Sequence, residues 1–147
     1  MNSGRNPLMR YGTVKVTTCS PGQLLLMLYD ALFRFLGEAG AAIEAKDHTR
    51  SAERISRSIT ILEQLVTGLN REVSPTLCDT LAPLYAFCMR HVLQAKLRQD
   101  PAPLAEVMRI LAPLRQAWVT AVAQVDRAAS QAQATAAESS AAAAGQV

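Results

Sequence analysis

The sequence predicts an all-α fold: an antiparallel four-helix bundle behind an extended N-terminal arm, with room for a short extra helical segment in the arm or tail. Three observations predict it. A capping residue followed by proline recurs at Ser20-Pro21, Ser74-Pro75 and Asp100-Pro101, the pairing that starts helices. Between these starts, apolar residues return every three or four positions. No two alternating segments joined by a tight turn are present to build a sheet.

Residues 1–19 read as the arm. Gly4, Pro7 and Gly12 interrupt it, and Val14-Lys15-Val16-Thr17-Thr18 favours extended backbone. Ser20, Pro21 and Gln23 then make a capping box for the first helix, whose stripe is Leu24, Leu28, Leu32, Phe35 and Ala39. It runs to about Lys46, where Asp47-His48 marks a turn. The second helix is the most regular, with Ile55, Ile59, Leu62, Val66 and Leu69 on one face and Ile61 and Leu65 at its edge. The third follows Ser74-Pro75 with Leu77, Leu81, Leu84, Cys88, Val92 and Ala95, and Pro83 inside it should bend it. The fourth follows Asp100-Pro101 with Leu104, Val107, Met108, Leu111, Leu114, Trp118, Val122 and Val125, and Pro113 falls on its polar side. Arg115 sits within that apolar arc, where it either snorkels along its stem or pairs with a carboxylate such as Asp30. The bundle is thus residues 20–127. The Ala/Ser-rich tail, 128–147, has nothing large to bury before Val147 and should fray after a few turns.

Composition narrows the function. With 147 residues, half of them apolar and 18% charged, the chain is one globular domain with a core of its own. The net charge of +3 is spread thinly, so no concentrated basic stripe marks a nucleic-acid surface. The most apolar run, Leu24 to Leu36, is too short to span a bilayer, and the first residues lack a secretory h-region. Cys19, Cys78 and Cys88 form no C-x-x-C pair. On one helix, Cys78 and Cys88 would lie about 15 Å apart, too far to bridge, so free and mostly buried thiols are expected.

Catalytic chemistry finds no foothold. His48 and His91 have no ligand partner at metal-binding spacing, and the Glu-x-x-His pairs of di-iron bundles are missing. No glycine-rich phosphate loop is present, and Ser20 is explained by capping. The expectation is therefore no enzyme, no metal and no cofactor. The positive signal is a surplus of apolar residues off the core stripes: Leu26, Phe33, Ile61 and Phe87, with Tyr11, Val14 and Val16 on the arm. Either they wrap a large core, or they group into a groove for an amphipathic helix.

The motif Tyr11-x4-Val16-x-Thr18-x-Ser20-Pro21-x2-Leu24-x3-Leu28-Tyr29 closely resembles the start of the flagellar secretion chaperone family FliS. Ile55, Ile61 and Leu65 fall in the register of that family's second helix. Leu84-Tyr85 and Leu93-x-Ala95 resemble its third, and Leu104-x-Glu106-Val107 and Leu114-Arg115-x-Ala117-Trp118 its fourth. The resemblance covers about residues 10 to 122. It implies a cytoplasmic chaperone that binds the C-terminal segment of flagellin, prevents its premature polymerisation and delivers it to the flagellar type III export gate protein. It implies a monomer or weak homodimer, with no nucleic acid and no membrane insertion. It also implies that the arm, through Tyr11 with Val14 and Val16 beside it, can cover the client groove. The expected contact residues are these three with Ile55, Ile61, Leu65 and Ile110, on a groove between the second and fourth helices. The alternative is a structural or regulatory bundle that partners another secreted helical protein.

Overall fold

The computed structural model describes residues 19–145. Four helices follow one another: α1 (Pro21–Glu44), α2 (His48–Thr67), α3 (Pro75–Arg98) and α4 (Ala102–Ala144). Helix α1 packs against α2 and α4, and α3 packs against the same two, so α1 and α3 oppose each other across the bundle diagonal. Short connections between successive helices make neighbours antiparallel. Among the described residues there is no strand, and no helix is long and apolar enough to cross a membrane.

The helix starts follow the capping chemistry with local variations. Ser20 Oγ accepts from the Gln23 amide at 3.1 Å, while the reciprocal Gln23 side-chain bond of the box is not formed. Asp47 caps α2 by accepting from the Arg50 amide at 3.1 Å. Ser74 makes no side-chain cap, but its carbonyl accepts from the Cys78 amide. Asp100 accepts from the Ala102 amide at 3.0 Å at the head of α4. Both internal prolines, Pro83 and Pro113, are exposed. Their missing donors fall on the solvent side, and α3 continues as a single helix past Pro83.

The core runs through Tyr29, Leu32, Leu36 and Ile43 of α1, Ile55, Leu62 and Leu65 of α2, Leu81, Tyr85, Cys88 and Val92 of α3, and Leu104, Val107 and Leu111 of α4. Each fully buried Leu or Ile contributes about 1.5–3 kcal/mol. These stripes are rotated from those expected. On α2, Ser51 and Ser58 are buried, their hydroxyls bonded to the His48 and Arg54 carbonyls, so the inward face follows 51-55-58-62-65 rather than 55-59-62-66. On α3 it follows Cys78-Leu81-Tyr85, leaving Leu77 partly exposed. Outside the core, Arg54 joins Glu38 of α1 at 2.5 Å, and the guanidiniums of Arg34, Arg54 and Arg57 surround the Phe35 ring at 4.9–5.7 Å. Cys78 and Cys88 are free and buried, and Cys19 is free and half-buried.

The tail departs from the expected fraying. Helix α4 continues to Ala144, exposed along its last turns. Alanine has the highest helix propensity, and that preference operates without burial.

The α1–α2 turn closes through backbone geometry usually reserved for glycine. Lys46 adopts φ 56°, the Asp47 amide donates to the Ala42 carbonyl, and the Lys46 amide donates to that of Ile43. These are the paired bonds of a Schellman cap, with a lysine at its left-handed position. Lys46→Gly should therefore stabilise the fold by about 1 kcal/mol. Differential scanning calorimetry should show the melting temperature rising by about 2–4 °C; an unchanged or lower value would contradict this account of the turn.

Candidate functional site

One end of the bundle gathers the first turns of α1, the last turn of α2, the α2–α3 loop and the first turns of α3. There the core stripes do not close over one another, and a groove of about 940 Å³ opens. Helix α1 supplies Leu24, Leu25 and Leu28, all half-buried, with Pro21 at the edge. Leu65 and Leu69 come from the end of α2 and its loop. Val73, 79% exposed, and Leu77, 40% exposed, form the outer wall with Cys78 behind them. Trp118 is the one contribution from α4, and Tyr85 is the most deeply buried lining residue, at 1% exposed. Every polar side chain in the lining is uncharged, namely Gln64, Thr67, Asn70 and Ser74 along the α2 side and Tyr85 and Trp118 at depth.

At that depth lies a polar contact inside the apolar core. The Tyr29 and Tyr85 hydroxyls meet at 2.5 Å across the diagonal, and Trp118 Nε1–H donates to Tyr29 Oη at 3.2 Å. Both phenols are held above their ordinary pKa, chiefly because burial disfavours phenolate. Burial likewise pushes the Cys88 thiol up to about 11. These are groups kept neutral, and none is poised as a nucleophile or base near neutrality. Nearby on the outer surface, Arg115 Nε and Nη2 both donate to Asp30 Oδ1, at 2.7 and 2.6 Å. That is the carboxylate pairing, one of the two outcomes expected of Arg115, although both partners are open enough to solvent that it contributes at most about 1 kcal/mol.

Residues 4–125 match the family described as Flagellar protein FliS, more than four-fifths of the chain. The chain belongs to the FliS family. It is similar to the Flagellar secretion chaperone FliS of Bacillus subtilis (strain 168), 33% identical over 118 residues, covering 80% of this chain and 87% of that protein. The protein of the same name from Salmonella typhimurium is 34% identical over 104 residues, covering 70% and 77%. That from Escherichia coli K12 is 30% identical over 104 residues, covering 70% and 76%. The relatives are chaperones by name, which agrees with a site built of apolar surface rather than reactive groups.

The groove differs from the one expected of a FliS chain from its sequence. It draws on α1, the end of α2 and the start of α3, with α4 adding only Trp118. Of the seven expected residues, Tyr11, Val14 and Val16 lie outside the described residues. Leu65 lines the groove. Ile55 and Ile61, at 1% and 7% exposed, are core side chains with almost no surface to offer a partner, because the buried serines turn the α2 face toward them. Ile110 is half-buried on α4, away from the groove. The off-stripe surplus does not assemble the groove either: Phe33 packs against the core, and Phe87 stacks on His91 with centroids 4.1 Å apart. The groove is made by residues assigned to core stripes, Leu24, Leu28, Leu69, Leu77 and Trp118. Their shared feature is position: all fall at the same end of an up-down bundle.

Alkaline pH reads out the buried polar contact. An unfolded chain loses phenol protons near pH 10 and thiol protons near 8.5, while the folded chain holds them longer. Above those values the folded state binds more protons than the unfolded one, so stability is full below about pH 8.5 and declines as pH rises further. Urea midpoints measured between pH 7 and 11 should fall over this window, most steeply above about 10. Tyr29→Phe removes the hydroxyl that bonds both Tyr85 and Trp118 and should cost about 1–3 kcal/mol at pH 7.

Proposed function

We propose that this chain is a cytoplasmic export chaperone that binds the C-terminal segment of flagellin in the groove between α1, α2 and α3. Bound there, the segment is withheld from premature polymerisation until the subunit reaches the flagellar type III export gate. The observation that carries this reading is the groove itself: about 940 Å³, with no charged residue in its lining and exposed Val73 and Leu77 on its wall. An apolar concavity of this kind suits the apolar face of an amphipathic helix. A client that folds on binding loses conformational entropy, and burial of leucine-lined surface offsets that loss. Membership of the FliS family and similarity to proteins named secretion chaperones support the same role.

The arm enters this reading through its position in the chain. Tyr11, Val14 and Val16 precede Pro21, which borders the groove, by ten residues or fewer. We infer that they compete with the client for the groove, shielding apolar surface when it is empty.

Calorimetric titration with a peptide from the flagellin C-terminus should show binding with a strongly negative heat-capacity change. An absence of binding at concentrations on the order of tens of micromolar would overturn the proposal. Leu77→Asp places a charge on the partly exposed groove wall. It should weaken the peptide at least about tenfold while changing the melting temperature little. Tyr11→Ala should alter peptide affinity and leave the melting temperature almost unchanged. A loss of several kcal/mol in stability instead would make Tyr11 a core residue.

A further inference from the structure

The polar contact beneath the groove leaves one donor hydrogen without a partner. Trp118 carries one N–H and no acceptor, and each tyrosine hydroxyl carries one hydrogen and two lone pairs. The three groups therefore hold three donor hydrogens. They make two bonds, Trp118 to Tyr29 and Tyr29 with Tyr85, and no other acceptor among the described residues takes the third hydrogen. Which hydrogen is left over depends on the direction of the central bond. If Tyr85 donates to Tyr29, both lone pairs of Tyr29 are taken and its own hydrogen is stranded. Tyr29 is fully buried and does not line the groove, so that hydrogen has no outlet. If Tyr29 donates to Tyr85, the spare hydrogen sits on Tyr85, which does line the groove. A buried donor without an acceptor is disfavoured, so a groove occupant that offers an oxygen selects the second arrangement.

We propose that Tyr85 is a specificity-determining residue whose hydroxyl donates to a single side-chain oxygen carried on the otherwise apolar face of the bound client helix. The oxygen belongs to a side chain because the main-chain carbonyls of a helix interior are already taken by the helix's own amides. The inference rests on the groove being the client site and adds to it a discrimination that shape alone does not supply. A purely apolar face would fill the volume and strand the hydrogen. A face with one hydroxyl, amide or carboxylate oxygen at the right register would satisfy it. Selectivity of this kind is steep, because the wrong ligand leaves a buried polar group unpaired.

The test compares the full chain and its Tyr85→Phe variant by calorimetric titration with the same flagellin peptide. Loss of the hydroxyl should weaken binding by about tenfold, the worth of one well-made hydrogen bond. Single alanine substitutions at the polar positions of the peptide should then identify one residue whose loss weakens the wild-type complex but not that of the variant. Equal affinity for wild type and variant would overturn the inference, and so would the absence of any coupled peptide position. Binding by neither protein would remove the client-site reading, and the inference with it. If Tyr85→Phe does not fold, 3-fluorotyrosine introduced at position 85 keeps the ring and hydroxyl. Its fluorine resonance should shift on saturation with peptide, and an unmoved resonance would count against contact.

Discussion

Two hydroxyls placed 2.5 Å apart in the middle of an apolar core constrain everything around them. Helices α1 and α3 are diagonal partners that touch little through their backbones, and Tyr29 and Tyr85 reach across the space between them. A buried phenol without a partner is costly, so each helix must turn the face that brings its tyrosine inward. Once Tyr29 faces in, Leu32, Leu36 and Ile43 follow by helical spacing; once Tyr85 does, Leu81, Cys88 and Val92 follow. Trp118 extends the constraint to α4. The same rotation leaves Leu24, Leu28 and Leu77 on the flank of the core rather than within it, which is where the groove wall is needed. Site and scaffold are thus two results of one contact.

Much of the architecture could be read from the sequence because it depends on local chemistry. Ser20 and Asp100, read as caps, each supply an acceptor to an orphan amide, and Arg115, a cation placed in an apolar arc, takes the carboxylate partner that was one of its two expected outcomes. The rotation of the faces was not legible, since periodicity treats serine, cysteine and tyrosine as equivocal. Ser51 and Ser58 can be buried because their hydroxyls bond their own helix, and no pattern of apolar residues announces that. The groove was less legible still. It depends on where four chain segments converge, and its leucines look like any others along their helices. The family resemblance in the ordered motif pointed to the right family, whereas the wall between α2 and α4, chosen from residues at the edges of their stripes, is not where this groove lies.

The two ends of the molecule are built to different standards. Where α1 turns into α2 and α3 into α4, the turns are short and each left-handed residue, Lys46 and Gln99, is held by a helix-ending bond. The opposite end carries the groove and the long α2–α3 loop, and there α4 leaves the bundle altogether. Val122 still lies against Gly22 of α1, but from Val125, 67% exposed, the side chains lose their partners. Those last turns are sustained by alanine propensity alone, so they exchange with solvent far more readily than the core.

The absence of charge from the groove lining has a kinetic meaning. Charged clefts draw oppositely charged partners from a distance and lose that pull as ionic strength rises. A cleft lined by leucines, valine, tryptophan and uncharged polar groups exerts no such attraction of its own. Encounter there proceeds at the unassisted diffusional pace of about 10⁵–10⁶ M⁻¹s⁻¹, and the cleft's hold on a partner should be nearly indifferent to salt. What distinguishes one partner from another is then how slowly it leaves, which is decided by fit within the cleft after contact rather than by selection on approach.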